Sequence, residues 1–486
     1  MTRIAETFAP LAYDQRDVSP STRSASQALL VRIMPGLATF AMSILVGRIG
    51  GVQTLGEVQL VLSTSMMANL LFPTPAGSIA ARFLARAALP SSTHPPASVA
   101  QFFLKVTSVA AGVLVMLVVG VQWLGLKADA VIVVMSALMT IAFAARALAE
   151  GIHAGLGQMG RLGTWSTLIS IASVLGVSIL LLLGVRTAAL LLPLMIGNLS
   201  ILLYALPPRS ATLAASVRAD AFRYVSLGVI GTLASSGLAQ AAVLAATLLE
   251  GIEYVGTYSA AMTLTTPFAM IASALSLILF PAFARAHSQD QAARLRGVAE
   301  LATRRLMVGL IAGGLLLAPT APAIVVTLWG DEFYPAASMV GVLAVAAILN
   351  GISVPIVNAL TSESARGMTL SVVFSWSGFA VAIGTATALK LSGVPNAIPI
   401  AYATGVAVIA ALPMIYASTV LRLTLGSVFL KASAGVALIL ITSVTSISAK
   451  PPALLSLGVA LILAAAWLAA NYRDSLGMAR MIVSER

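Results

Sequence analysis

The sequence predicts an all-α polytopic membrane protein with about fourteen transmembrane helices. Three observations carry this. Hydrophobic residues make up 59% of the 486 and charged residues only 9%, where a soluble domain has about 25% charged. Mean hydropathy is +1.00. The apolar residues fall in unbroken runs, and one transmembrane helix needs about 20 of them. Fourteen helices would use about 280 residues, close to the apolar share of the chain. Unbroken runs also exclude a β-barrel, whose strands alternate.

The helices follow in order from apolar runs bounded by charges or by proline and glycine. The first run, 24–47, follows a polar segment carrying Arg3, Arg16 and Arg23. It exceeds a secretory h-region of about 7–15 residues, so it is read as a retained helix. Next come 57–81, which ends at Arg82; 99–123, between Pro96 and Lys127; and 130–149, between Asp129 and Glu150. The runs 163–183 and 188–206 flank Arg186, and 224–248 and 255–283 flank Glu250 and Glu253. A cationic connector around Arg285–Arg305 precedes 306–328. The remaining runs are 337–361, 368–389, 397–420, 427–448 and 453–470.

Charge tests the count. Placing the N-terminus in the cytoplasm puts nineteen cations in cytoplasmic segments; five (Arg48, Lys127, Arg186, Lys390 and Lys450) face the other side. That is the positive-inside pattern of a multi-pass protein with both termini cytoplasmic. The net charge of +12 is accounted for by cationic loops facing anionic lipid, with no call for nucleic acid.

The chain repeats itself at an offset of 200. GVQTLGEVQLVLS from Gly51 aligns with GIEYVGTYSAAMT from Gly251, matching Gly51 to Gly251 and Gly56 to Gly256. Six helices separate the copies, so both enter the membrane in one direction, as in transporters built from parallel repeats. The predicted organisation is a cytoplasmic segment 1–23, a six-helix bundle 24–206, a cytoplasmic linker 207–223 and a second six-helix bundle 224–420. Two further helices (421–470) and a cytoplasmic tail (471–486) complete it.

Little in the chain points to catalysis. The absence of cysteine removes disulfides, thiolate metal sites and cysteine nucleophiles. His94, His153 and His287 are the only histidines and lie far apart in expected loops, without metal-ligand or triad spacing. No cofactor is expected. GLGQMG, Gly155–Gly160, fits G-x-G-x-x-G, but a dinucleotide site needs a preceding strand and a later acid; an inter-helix turn is the expectation. No carboxylate falls inside a run except Glu57, which argues against a drug antiporter that relies on buried acids. Expected outer loops are too short for a glycan polymerase or ligase, the enzyme alternative.

Cations within the runs are the candidate binding groups. Arg32 lies eight residues into the first run, roughly 12 Å deep at 1.5 Å per residue. There a guanidinium either faces a hydrated cavity or snorkels to the surface. Arg146, Lys105 and Lys431 lie nearer helix ends and fit snorkelling better. Asn69, Gln240, Asn350 and Asn358 either line a cavity and bond sugar hydroxyls or bond across helices. Pro35, Pro73, Pro75, Pro267 and Pro355 interrupt runs and predict kinks.

ILVGRIGGVQTLGEVQLVLS from Ile44 and ARFLARA from Ala81 resemble the first two helices of bacterial polysaccharide flippases, in the multidrug/oligosaccharidyl-lipid/polysaccharide exporter superfamily. The six-plus-six-plus-two layout extends the resemblance over nearly the whole chain. Gly50-Gly51-Val52 replaces the commoner Leu-Gly-Pro, which leaves the substrate branch open. The resemblance implies a non-enzymatic flippase of the bacterial inner membrane. It would carry polyprenyl-pyrophosphate-linked oligosaccharide by alternating access, for surface or exopolysaccharide synthesis, beside a polymerase and export machinery. It further implies that Arg32, then Arg146, hold the pyrophosphate, with Arg86 and Arg285 as loop contacts near the cavity entry. A drug or other lipid exporter of the same superfamily is the alternative.

Overall fold

A computed structural model describes residues 22–89, 94–208, 212–288, 292–363, 365–420, 422–472 and 474, without the side chains of 22–32, 273–296 and 362–365. The segment 1–21, most of the tail and the side chains of Arg32 and Arg285 therefore lie outside the described residues. Within them there are fifteen α-helices and no strand. Eleven helices are long and apolar enough to cross a membrane, which makes this a multi-pass membrane protein.

Helix α1 (Thr22–Leu45) runs into a π-helical turn, Val46–Gly50, and the chain then reverses into α2 (Gly51–Leu70). The reversal needs Gly51, at φ 85° and ψ 177°, a region essentially closed to side-chain-bearing residues. The run expected at 57–81 proves to be two helices, α2 and α3 (Pro73–Ala87). Pro73 and Pro75 cannot donate to the carbonyls one turn back, so the helix stops and restarts with proline in its first turn. Then come α4 (Pro96–Gly120), α5 (Ala130–Gly155), α6 (Met159–Leu182) and α7 (Leu192–Tyr204). GLGQMG forms the turn between α5 and α6, with Gly157 at φ 68°.

Helix α8 (Ala215–Glu250) and α9 (Ile252–Ser288) meet at Gly251, φ 93° and ψ 178°, repeating the Gly51 elbow. Much of the expected linker 207–223 is thus the start of α8. The connector expected at 285–305 is also mostly helix, because α9 runs to Ser288 and α10 spans Ala292–Trp329. Charged residues stop an apolar scan but not a helix that projects beyond the bilayer. The remaining helices are α11 (Ala337–Glu363), α12 (Ala365–Leu391), α13 (Ala397–Thr419), α14 (Gly426–Ala449) and α15 (Ala453–Ala470).

The chain divides into two compact units, Met1–Gly256 and Thr257–Arg486. In the first, α5 is central and packs against α2, α3, α4 and α7, while α8 packs on α2 and α3. Its core joins Ala80, Leu84, Phe103, Leu148, Ile152, Trp165 and Ile201. A Cβ on Gly77 would overlap the Ala147 carbonyl, and one on Gly151 the Gly77 carbonyl. Glycine therefore lets α3 and α5 approach backbone to backbone, as small residues do in membrane bundles. A polar seam ties α2 to α5: Gln122 donates to Thr64 Oγ1 at 3.2 Å and Ser136 Oγ at 2.8 Å, and Ser65 donates to the Ser136 carbonyl at 3.0 Å.

In the second unit α11 packs against α10, α12, α13 and α14, around Met307, Ile311, Leu315, Ile348, Ile352 and Met414. The last two helices dock on α10 through backbone carbonyls. Ser446 Oγ donates to the Pro319 carbonyl at 2.7 Å, and Trp467 Nε1 to the Val308 carbonyl at 3.2 Å. Counting α2 and α3 as one span, the fourth helix of each half (α5, α11) packs on the third (α4, α10) and the sixth (α7, α13).

Candidate functional site: a cationic cavity

Two helix ends build the site. On α3, Ala76, Ala80, Leu84 and Ala87 are buried toward the core, whereas Ser78, Arg82 and Arg86 are exposed. That is the division expected when apolar residues recur at helical spacing. On α8, Ala221 and Val225 enter the same core, while Val217, Asp220, Arg223, Tyr224 and Leu227 border a cavity of about 410 Å³. Phe83, Arg86, Ala87, His94 and Val99 supply the other wall.

Aromatic contacts hold the walls together. The Phe83 ring meets Tyr224 edge-on at 6.2 Å and Phe103 at 6.2 Å. Phe102 meets Phe222 at 5.7 Å. The Arg82 guanidinium lies 4.7 Å above the centre of the Tyr224 ring, a cation–π geometry. Three guanidiniums therefore gather at this end of the unit: Arg86 and Arg223 on the cavity wall, and Arg82 at its rim. Asp220 brings one carboxylate to the wall, and among the described residues it forms no ion pair with these arginines. No group of histidines and carboxylates among the described residues could hold a metal ion.

The residues singled out in the sequence fall in different places. Arg86 lines this cavity. Arg32 is on α1 and Arg285 on α9, with side chains outside the description. Arg146 is held on α5: Nε contacts Glu150 Oε1 at 2.8 Å, and Nη1 donates to Asn198 Oδ1 of α7 at 3.1 Å. Helix α5 runs past the expected end at 149, which brings Glu150 onto the helix one turn from Arg146. Asn69 is buried and donates to the Ser65 carbonyl at 2.8 Å and, across to α5, the Thr140 carbonyl at 3.1 Å. Gln240 is half-buried on α8; on α11, Asn350 is exposed and Asn358 buried. His153, expected in a loop, is buried on α5, with Nδ1 2.7 Å from the Ala149 carbonyl.

Sequence reasoning passed over Arg223, Asp220 and Tyr224 because it placed the first two in a linker. The available signal was the i, i+3, i+7, i+10 spacing of Val217, Asp220, Tyr224 and Leu227, which puts them on one helical face.

The fold resembles that of two kinds of solved membrane protein, MATE transporters and a lipid II flippase. An inward-facing multidrug-resistance MATE family transporter superposes with a TM-score of 0.65 at 14% identity, covering 82% of this chain and 98% of its own. The lipid II flippase MurJ, in an inward closed conformation, superposes at 0.62 and 13% identity, covering 94% of this chain and 100% of its own. MATE in complex with MaL6 gives 0.57 at 12% identity, with 82% and 96% covered. No protein-family model matches the sequence, and no curated protein matches it.

Proposed function

We propose that the chain is a flippase that carries polyprenyl-pyrophosphate-linked oligosaccharide across the bacterial inner membrane by alternating access, with both termini cytoplasmic. The reading rests first on the extent of the shared fold. A lipid flippase covers 94% of this chain, against 82% for the multidrug transporter. Charge points the same way. The cavity wall presents guanidiniums, whose planar forks suit phosphate. Two carboxylates of the first unit are already engaged: Glu57 accepts from Gln53 at 3.2 Å and Glu150 pairs with Arg146. A sugar-pyrophosphate head needs such a protein because hydrocarbon strips its hydrogen bonds and charge solvation. Its tail can stay in the bilayer. A polymerase and export machinery would use the product.

The test is a deletion strain assayed for lipid-linked glycan on the cytoplasmic face. The expected result is accumulation there with loss of surface polysaccharide; normal distribution across both faces overturns the reading. The higher TM-score of the multidrug transporter favours a second reading, export of small drugs. Drug resistance on expression, with surface polysaccharide unaffected by deletion, would select it. Within the flippase reading, Arg32→Ala should reduce export at equal protein level; undiminished export removes Arg32 from the site.

A further inference from the structure

The geometry points to the cavity between α3, α4 and α8 as a docking site for the phosphate head of a lipid, held by Arg86 and Arg223 with Arg82 at the rim. It rests on the flippase reading only for the isoprenoid nature of the lipid; the phosphate chemistry comes from the site itself.

The first argument is charge without a partner. Two arginines elsewhere on described helices are neutralised within one turn: Arg146 by Glu150 at 2.8 Å and Arg304 by Glu300 at 2.7 Å. Arg82, Arg86 and Arg223 have no such pair among the described residues. Two of them, Arg86 and Arg223, nevertheless line one cavity from facing walls. Guanidiniums lining one recess with no carboxylate paired to them among the described residues leave positions for an external anion, and a phosphate accepts from two forks at once. Asp220 belongs to the same lining; one carboxylate against the guanidiniums of Arg86, Arg223 and neighbouring Arg82 leaves the recess cationic.

The second argument is the apolar part of the lining. Phe83, Val99, Val217 and Leu227 are apolar. A free phosphate ion gains nothing from them, whereas the first carbons of a lipid tail lose water against them. A volume of about 410 Å³ falls in the range of ~300–1,000 Å³ usual for small-molecule sites. The third argument is preorganisation: Arg82 is stacked over Tyr224, and Tyr224 is braced by Phe83, so one of the three cations is already positioned.

The experiment uses the full chain in phosphatidylcholine nanodiscs, titrated calorimetrically with farnesyl pyrophosphate and, separately, inorganic pyrophosphate. Farnesyl pyrophosphate should bind, and Arg86→Gln and Arg223→Gln should each weaken it about ten-fold or more, the scale of a lost charge-assisted hydrogen bond. Arg86→Lys should recover part of the loss. Arg218→Gln, on α8 but outside the cavity wall, should bind as wild type. Inorganic pyrophosphate should bind about ten-fold more weakly yet respond to the same variants, since it lacks the apolar tail. Both arginines are exposed, and thermal unfolding checks that the variants fold. No binding by wild type, or unchanged binding by both Gln variants, overturns the proposal. So does equal weakening by Arg218→Gln, which would mean a diffuse surface potential. Equal affinity for the two probes overturns the lipid assignment in favour of a soluble phosphate compound. Binding is read without transport and the deletion strain without binding, so failure of either idea is visible separately.

Discussion

Gly56 and Gly256 meet at a reciprocal backbone contact. A Cβ on Gly56 would overlap the carbonyl oxygen of Ile252, and one on Gly256 would overlap that of Val52. Each glycine thus rests on the residue four positions before its counterpart. The contact lies within the first compact unit, which ends at Gly256.

Substituting either glycine should therefore destabilise the protein. Gly56→Ala or Gly256→Ala forces two helix backbones apart, an overpacking that costs ~1–3 kcal/mol. Gly112→Ala is the control, since nothing lies within 4 Å of a Cβ there; it should be neutral or gain up to about 1 kcal/mol from helix propensity. Thermal unfolding in detergent reads all three, and an unchanged midpoint for Gly56→Ala would refute the contact.

The elbows at Gly51 and Gly251 make a different demand, on backbone angle and not on space. Nothing lies within 4 Å of a Cβ at Gly251, so Gly251→Ala isolates the conformational cost of about 1–3 kcal/mol. Thermal unfolding should show that loss, and Gly251→Asn should lose no less, since this region is not the ordinary left-handed well.

Arg146 serves two partners, and its removal should read mainly as lost stability. Arg146→Ala leaves buried Asn198 without its donor to Oδ1, a cost of ~1–3 kcal/mol. Glu150→Gln should cost less than ~1 kcal/mol, because that carboxylate is 30% exposed and water screens the pair. Transport per folded molecule should be little changed by Glu150→Gln. A large transport loss in Arg146→Ala without any fall in unfolding temperature would instead make Arg146 a substrate ligand.

Helix α15 is tied to α10 by one indole hydrogen bond. Trp467→Phe removes it while the Val308 carbonyl stays within its own helix, so about 0.5–1.5 kcal/mol should be lost. Hydrogen exchange should accelerate in 453–470 before the α10–α11 core. Uniform acceleration through the second unit would show that α15 does not open separately.

Much of the fold was legible because membrane helices write themselves as long apolar runs. Gly51, Gly56 and their counterparts could be aligned by eye, and the structure shows why they are glycines. What stayed hidden follows from the same reading rule. Pro73 and Pro75 sit inside one apolar run, and hydropathy does not register the break they cause. Asp220 and Arg223 ended a scan for greasy residues, although α8 begins before them at Ala215. Glu150 lay one residue past an expected helix end, so its pairing with Arg146 could not be seen. The cavity joins α3 to α8 across more than a hundred residues of sequence, and no local pattern announces that two helix ends will be neighbours.

The mutual seating of Gly56 on Ile252 and of Gly256 on Val52 has the form of a contact across a twofold axis, where patch i touches j and j touches i. A bulkier side chain at either glycine pries at both seats together, so the two positions work as a single joint.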